Sequence, residues 1–102
     1  MIRHIVMWRL RGDSPQEMAL ARARVKQAFE SLLGRIPGMR HLEVGIDSSG
    51  ADHACDAVLV MDFDSQAALE AYANHPEHLR VRHELGTLRT SRHQVDYVVD
   101  SE

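Results

Sequence analysis

What this chain lacks narrows its function before any motif is read. A single cysteine, Cys55, excludes an intrachain disulfide framework. The longest apolar run, Ala57-Val58-Leu59-Val60-Met61, falls far short of the roughly 20 residues that a membrane helix needs. Neither sign of charge prevails, with 12 Lys+Arg against 15 Asp+Glu and a net charge of −3. A nucleic-acid binder would normally present a basic face. Here Arg22, Arg24, Lys26 and Arg35 are offset by Glu17 and Glu30, so they read as a solvated helix face. There is no phosphate loop, Gly-rich nucleotide motif, nucleophile elbow, repeat or low-complexity segment. The chain moves from Met1 straight into strand-like alternation, without the pattern of a signal peptide. These absences lead us to expect a soluble cytoplasmic protein with neither nucleic-acid nor membrane partners.

What is present suits one small domain. The 102 residues, 44% hydrophobic and 26% charged, have the size and composition of a single globular unit over 1–102. Residues 2–10 alternate as a strand, with Ile2, His4, Val6, Trp8 and Leu10 on one face. Ser14-Pro15-Gln16-Glu17 is a helix start with a cap, a first-turn proline and a capping-box glutamate. Apolar residues then recur at helical spacing from Met18 to about Leu33, before Gly34 and Pro37 end the helix. Strands follow over 39–46 and 55–63, the latter apolar on both faces and therefore central. Asp64-Ser65 caps a helix through Ala73, and Pro76 disfavours helical geometry at His75. A short helix from Pro76 to about Leu85 and a last strand over 92–99 complete the order.

This order is β-α-β-β-α-β with one extra helix. It predicts an α+β, ferredoxin-like fold: a four-stranded antiparallel sheet with helices on one face. The other face would still present Ile5, Met7, Val58 and Val60. An uncovered apolar face of that kind calls for a partner, and two identical sheets packed together would bury it. We therefore expect a homodimer through the sheet faces.

The chemistry-bearing stretch is Tyr72-Ala73-Asn74-His75-Pro76-Glu77-His78. On an unbroken helix, Tyr72 and His78 would point about 120° apart. The break at His75-Pro76 redirects the chain, so His78 can fold back beside Tyr72. A neutral imidazole with a reference pKa of about 6.5 can take an acidic α-proton, and a phenol of about 10 can donate to the developing oxyanion. Against this stands a plainer reading, in which His78 packs on the sheet with its nitrogens bonded to backbone or water. His75 reads as a terminator of the helix. A zinc site from His75, His78 and Glu77 or His83 would need three or four converging ligands, and proline disturbs the spacing, so no metal is expected. Trp8, Phe29, Leu59, Met61 and Phe63 fit a core, and equally the apolar wall of a ligand pocket.

Several segments together resemble the stress-responsive dimeric A/B barrel (Dabb) family. They are Ile2-Arg3-His4-Ile5-Val6, Ile36-Pro37-Gly38-Met39, Leu42-Glu43-Val44-Gly45, Asp56-Ala57-Val58-Leu59-Val60, Phe63-Asp64-Ser65, the Tyr72–His78 stretch and Val95-Asp96-Tyr97. The resemblance implies ferredoxin-like subunits that dimerise through their sheets into a barrel. One plant branch of the family catalyses aldol cyclisation of a linear polyketide. Its catalytic tyrosine and histidine fall on Tyr72 and His78, and its cavity-lining histidine of strand one falls on His4. That branch also has a histidine in strand three, where this chain has Ala57.

The leading expectation is a cyclase or lyase acting without a cofactor on a small hydrophobic carbonyl compound. Tyr72 and His78 would be catalytic, and His4, Trp8, Phe29, Leu59 and Met61 would line the substrate site. The alternative is a non-catalytic small-ligand-binding or stress-associated homodimer. A haem or quinol monooxygenase ranks last, because strand one lacks the asparagine often found in that group.

Overall fold

Strict alternation makes β1 (Ile2–Trp8) a two-faced strand at the middle of the sheet. The computed structural model describes residues 1–99. After β1 come α1 (Pro15–Glu30), β2 (Met39–Ile46), β3 (Ala57–Phe63), α2 (Gln66–Ala73), α3 (Pro76–Leu85) and β4 (His93–Val98). The strands lie in the order β2-β3-β1-β4, every neighbour antiparallel. This is the ferredoxin-like arrangement expected from the element order, with the apolar β3 and β1 at the centre.

Capping sets the helix starts. Ser14 Oγ accepts from the Glu17 amide at 3.1 Å. The Glu17 carboxylate reaches back to the Asp13 amide at 2.6 Å, one residue earlier than in a standard capping box. Ser65 caps α2 in the same way, accepting from the Ala68 amide at 3.1 Å. Before β2, Gly38 sits at φ +78°, where a Cβ would come within 2.7 Å of Ala68 Cβ. Glycine there lets the link pass beneath α2.

Element ends differ from the sequence expectation by a few residues, each for a local reason. The α-helical ladder of α1 stops at Glu30, and the chain tightens into shorter turns through Leu32→Phe29 and Leu33→Glu30 amide–carbonyl bonds. Leu32 nevertheless stays fully buried, which is why the apolar spacing runs past the helix. β1 ends at Trp8 because the Leu10 amide turns to the Asp56 carboxylate at 2.8 Å. The same carboxylate holds Arg22 at 3.1 Å, so regular pairing of β3 begins only at Ala57. β4 starts at His93 and ends at Val98, one residue inside each expected bound.

α1 and α2 pack on one face of the sheet, and α3 packs against both helices. Val6, Trp8, Leu59, Met61 and Phe63 from the sheet meet Val25, Phe29, Leu32, Leu69, Tyr72 and Val81 from the helices and their termini. Each large apolar side chain buried this way contributes roughly 1.5–3 kcal/mol. The opposite face carries Arg3, Ile5 and Met7, in register with Tyr97, Val95 and His93 of β4 and with Asp62, Val60 and Val58 of β3. Arg3 grips Asp62 with two bonds, 2.8 and 3.2 Å. The pairing holds the Asp62 carboxyl below its usual range. Met7, Val95 and Tyr97 are all exposed on this face.

Candidate functional site

The helix break predicted at His75-Pro76 builds the site. His75 is extended, φ −66° and ψ 136°, and its Nδ1 accepts from the Glu77 amide at 3.0 Å. It thus ends α2 and caps α3, with Pro76 at the first helical position. The redirected chain returns His78 to Tyr72, and their ring centroids lie 4.3 Å apart at 36°.

Both rings face a cavity of about 560 Å³ between the helices and the inner face of the sheet. His4, Trp8, Phe29 and Leu59 line it, with Val6 beside them. Trp8 and Phe29 stack at 4.9 Å and form an aromatic wall. The Trp8 indole N–H is buried with no partner among the described residues, a cost of about 1–3 kcal/mol. Met61 does not reach the cavity. It is fully buried in the core, directly opposite His4 across β1 and β3.

The electrostatics separate the two partners. Burial pushes the Tyr72 phenol well above its ordinary value, although nearby Arg89 and Arg92 pull the other way. Tyr72 therefore remains a neutral donor at physiological pH. Burial also lowers the His78 pKa, helped by Arg82 and Arg89 and opposed by the Ala73 carbonyl. That carbonyl lies 3.0 Å from His78 Nδ1. A carbonyl only accepts, so Nδ1 carries the hydrogen and Nε2 of the neutral ring keeps a lone pair. Such a tautomer is what a proton acceptor needs.

His4 is a third wall, buried and edge-on to Tyr72 at 6.4 Å between ring centroids. Its Nδ1 lies 2.6 Å from Asp96 Oδ1, and Gln94 Nε2 steadies the other carboxylate oxygen at 2.9 Å. A carboxylate fixes the ring by accepting from Nδ1, leaving Nε2 on the far side. Sequence reading missed Asp96 because its partner lies 92 residues away. The available signal was register: His4 and Asp96 are direct cross-strand partners once β1 and β4 pair. Arg82, Arg89 and Arg92, which also line the cavity, were missed as well. Among the described residues, no group of three His, Cys, Asp or Glu side chains is placed to hold a metal ion. Among the described residues, no helix is long and apolar enough to cross a membrane.

Fold and site together define a ferredoxin-like α+β barrel subunit with a ligand-sized cavity between helices and sheet. The chain belongs to the stress responsive A/B barrel domain family, whose model matches residues 2–99. It is similar to a dimeric ferredoxin-like protein of unknown function from Bacteroides fragilis. The two are 33% identical with a TM-score of 0.82, over 94% of this chain and 93% of that one. A Dabb family protein from Mesorhizobium loti is 28% identical with a TM-score of 0.77, over 98% and 97%. A hydroxynitrile lyase from Passiflora edulis shares the fold at 20% identity and a TM-score of 0.77, over 99% and 94%. No curated protein matches the chain.

Proposed function

We propose that this protein is a homodimeric lyase or cyclase that moves a proton next to the carbonyl group of a small, largely apolar compound. The observation that carries this reading is the Tyr72–His78 pair, 4.3 Å apart between rings in a cavity with an aromatic wall. In this reading His78 Nε2 removes the α-proton, and the Tyr72 hydroxyl donates to the oxygen on which charge develops. His4, fixed by Asp96, orients the carbonyl from the third side. The Passiflora edulis protein is named a lyase, so one lyase stands on this fold. His78 and Tyr72 need no further group for this step. The free Cys55 suits a reducing, cytoplasmic setting.

The dimer in this proposal joins two chains through the uncovered sheet face. Exposed Met7, Val95 and Tyr97 support it, as does the Bacteroides fragilis relative, itself described as dimeric. Sedimentation of the purified chain at micromolar concentration is expected to give twice the monomer mass. Monomer alone would contradict it.

Chemistry is tested by following exchange of the α-hydrogens of benzylacetone in deuterated water by NMR. We expect the protein to accelerate exchange and His78→Gln to lose about 10²–10⁴ of that acceleration. Equal rates for the two would sink the catalytic reading. Binding of the ketone without exchange would leave a ligand-binding dimer in its place.

A further inference from the structure

The arginines divide into two groups. Those away from the cavity, from Arg3 on Asp62 to Arg80 on Glu77 and Glu84, each donate to a carboxylate or a backbone carbonyl. The chain's one lysine, Lys26, does the same with Val44 and Glu30. Arg82, Arg89 and Arg92 have no such acceptor among the described residues, and all three line the cavity beside Tyr72 and His78. Among the described residues, the arginines without an acceptor are thus gathered at one place.

Arg89 is the inner member. Its guanidinium lies 5.4 Å from the Trp8 ring centroid and 5.8 Å from that of Phe29, and the residue is half-buried. Cation–π attraction of this kind offsets only part of the cost of withdrawing a charge from water. Burial and the two neighbouring arginines accordingly pull the Arg89 pKa below its ordinary value.

The position is built into the backbone. Leu10 bridges Arg89, the Arg11 amide donates to Leu88 O at 2.8 Å, and the Thr90 amide donates to Arg9 O at 2.8 Å. Arg82 comes from the last turn of α3 and Arg92 from the approach to β4. Between Glu84 and Asp96 the sequence has no acidic residue to neutralise them.

We propose that the cavity takes a carboxylate-bearing substrate, with its apolar body on the Trp8–Phe29 wall and its carboxylate on Arg89, flanked by Arg82 and Arg92. A guanidinium fork matches a carboxylate with two parallel bonds. The anion and the apolar body are contiguous because the charge stands directly over the aromatic wall. This deepens the carbonyl reading above, resting on it for the reacting group, and replaces a neutral hydrophobic substrate with an amphiphilic keto acid.

The test reads binding alone, so it stands apart from the exchange experiment. The full-length protein is titrated with phenylbutyrate, with neutral phenylbutyramide and with inorganic phosphate. Trp8, the chain's one tryptophan, serves as a fluorescent reporter inside the cavity. Phenylbutyrate should bind roughly tenfold or more tightly than the amide, as expected for charge-assisted bonds. Arg89→Gln should erase that preference while leaving amide binding in place, and Arg89→Lys should keep part of it. Arg24→Gln, on the outer surface of α1, should leave the preference intact. Equal affinities, no saturable phenylbutyrate binding, or a preference surviving Arg89→Gln would overturn the proposal. So would phosphate binding as tightly as phenylbutyrate, which would mark a site for a bare oxyanion. A circular dichroism spectrum matching the parent confirms that each variant is folded.

Discussion

The two faces of β1 make the most instructive comparison in this molecule. Ile2, His4, Val6 and Trp8 turn toward the helices, and His4, Val6 and Trp8 are almost fully buried. Arg3, Ile5 and Met7, their immediate neighbours in sequence, turn to a face that no helix covers. Both faces are apolar with one charged or titratable group, yet they do different work. The inner face meets helices that leave a cavity, so its polar residue, His4, borders a space a ligand can fill. The outer face has no helix over it, and the charge that β1 places there is already paired in the Arg3–Asp62 bridge. In our proposal, a two-residue period thus assigns one face of the strand to a ligand and the other to a second copy of the chain.

Substitutions matched across the two faces should break or sharpen that contrast. The largest effect on folding is expected inside: Leu59→Ala should cost about 2–5 kcal/mol in chemical denaturation. Met7→Ala outside should change the stability of a dilute, monomeric sample by about 0.5 kcal/mol or less. Next, Val95→Asp would place an unpaired charge opposite Ile5 in the proposed interface. Dimer dissociation measured by sedimentation should strengthen by at least about tenfold, with the monomer still folded. An unaltered dissociation constant would move the interface elsewhere.

Smaller effects should follow within the cavity. Tyr72→Phe keeps the ring and removes the donor, so benzylacetone exchange should slow by about 10–10²-fold while stability holds nearly constant. Asp96→Asn should cost less, roughly threefold to tenfold, because it alters the partner that orients His4 rather than the base itself. If Asp96→Asn proved more damaging than Tyr72→Phe, His4 would be the better candidate for the base.

Much of this contrast was legible in the sequence. Alternation in residues 2–10 assigned the two faces, and Pro76 announced the break that joins Tyr72 to His78. Both are local signals, set by backbone sterics over a few residues. The His4–Asp96 bond was hidden because it depends on pairing two strands from opposite ends of the chain. The arginine group was hidden too, since Arg82 belongs to a helix while Arg89 and Arg92 belong to the connection after it. Met61 illustrates the limit of periodicity. It shares a face with Leu59, but alternation does not say where along a strand the helices close over the sheet.

The central claim is that His78 is the proton acceptor of the inner face. Burial holds its pKa below the ordinary imidazole value, so the neutral, accepting form persists as pH falls below about 6.5. The most direct measurement is the pH profile of benzylacetone α-hydrogen exchange for the parent protein and His78→Gln. The account predicts acceleration that is full at neutral pH and is lost as pH falls below the ordinary histidine value of about 6.5. It also predicts that His78→Gln removes both the acceleration and its acid limb. An acid limb retained in His78→Gln would contradict it.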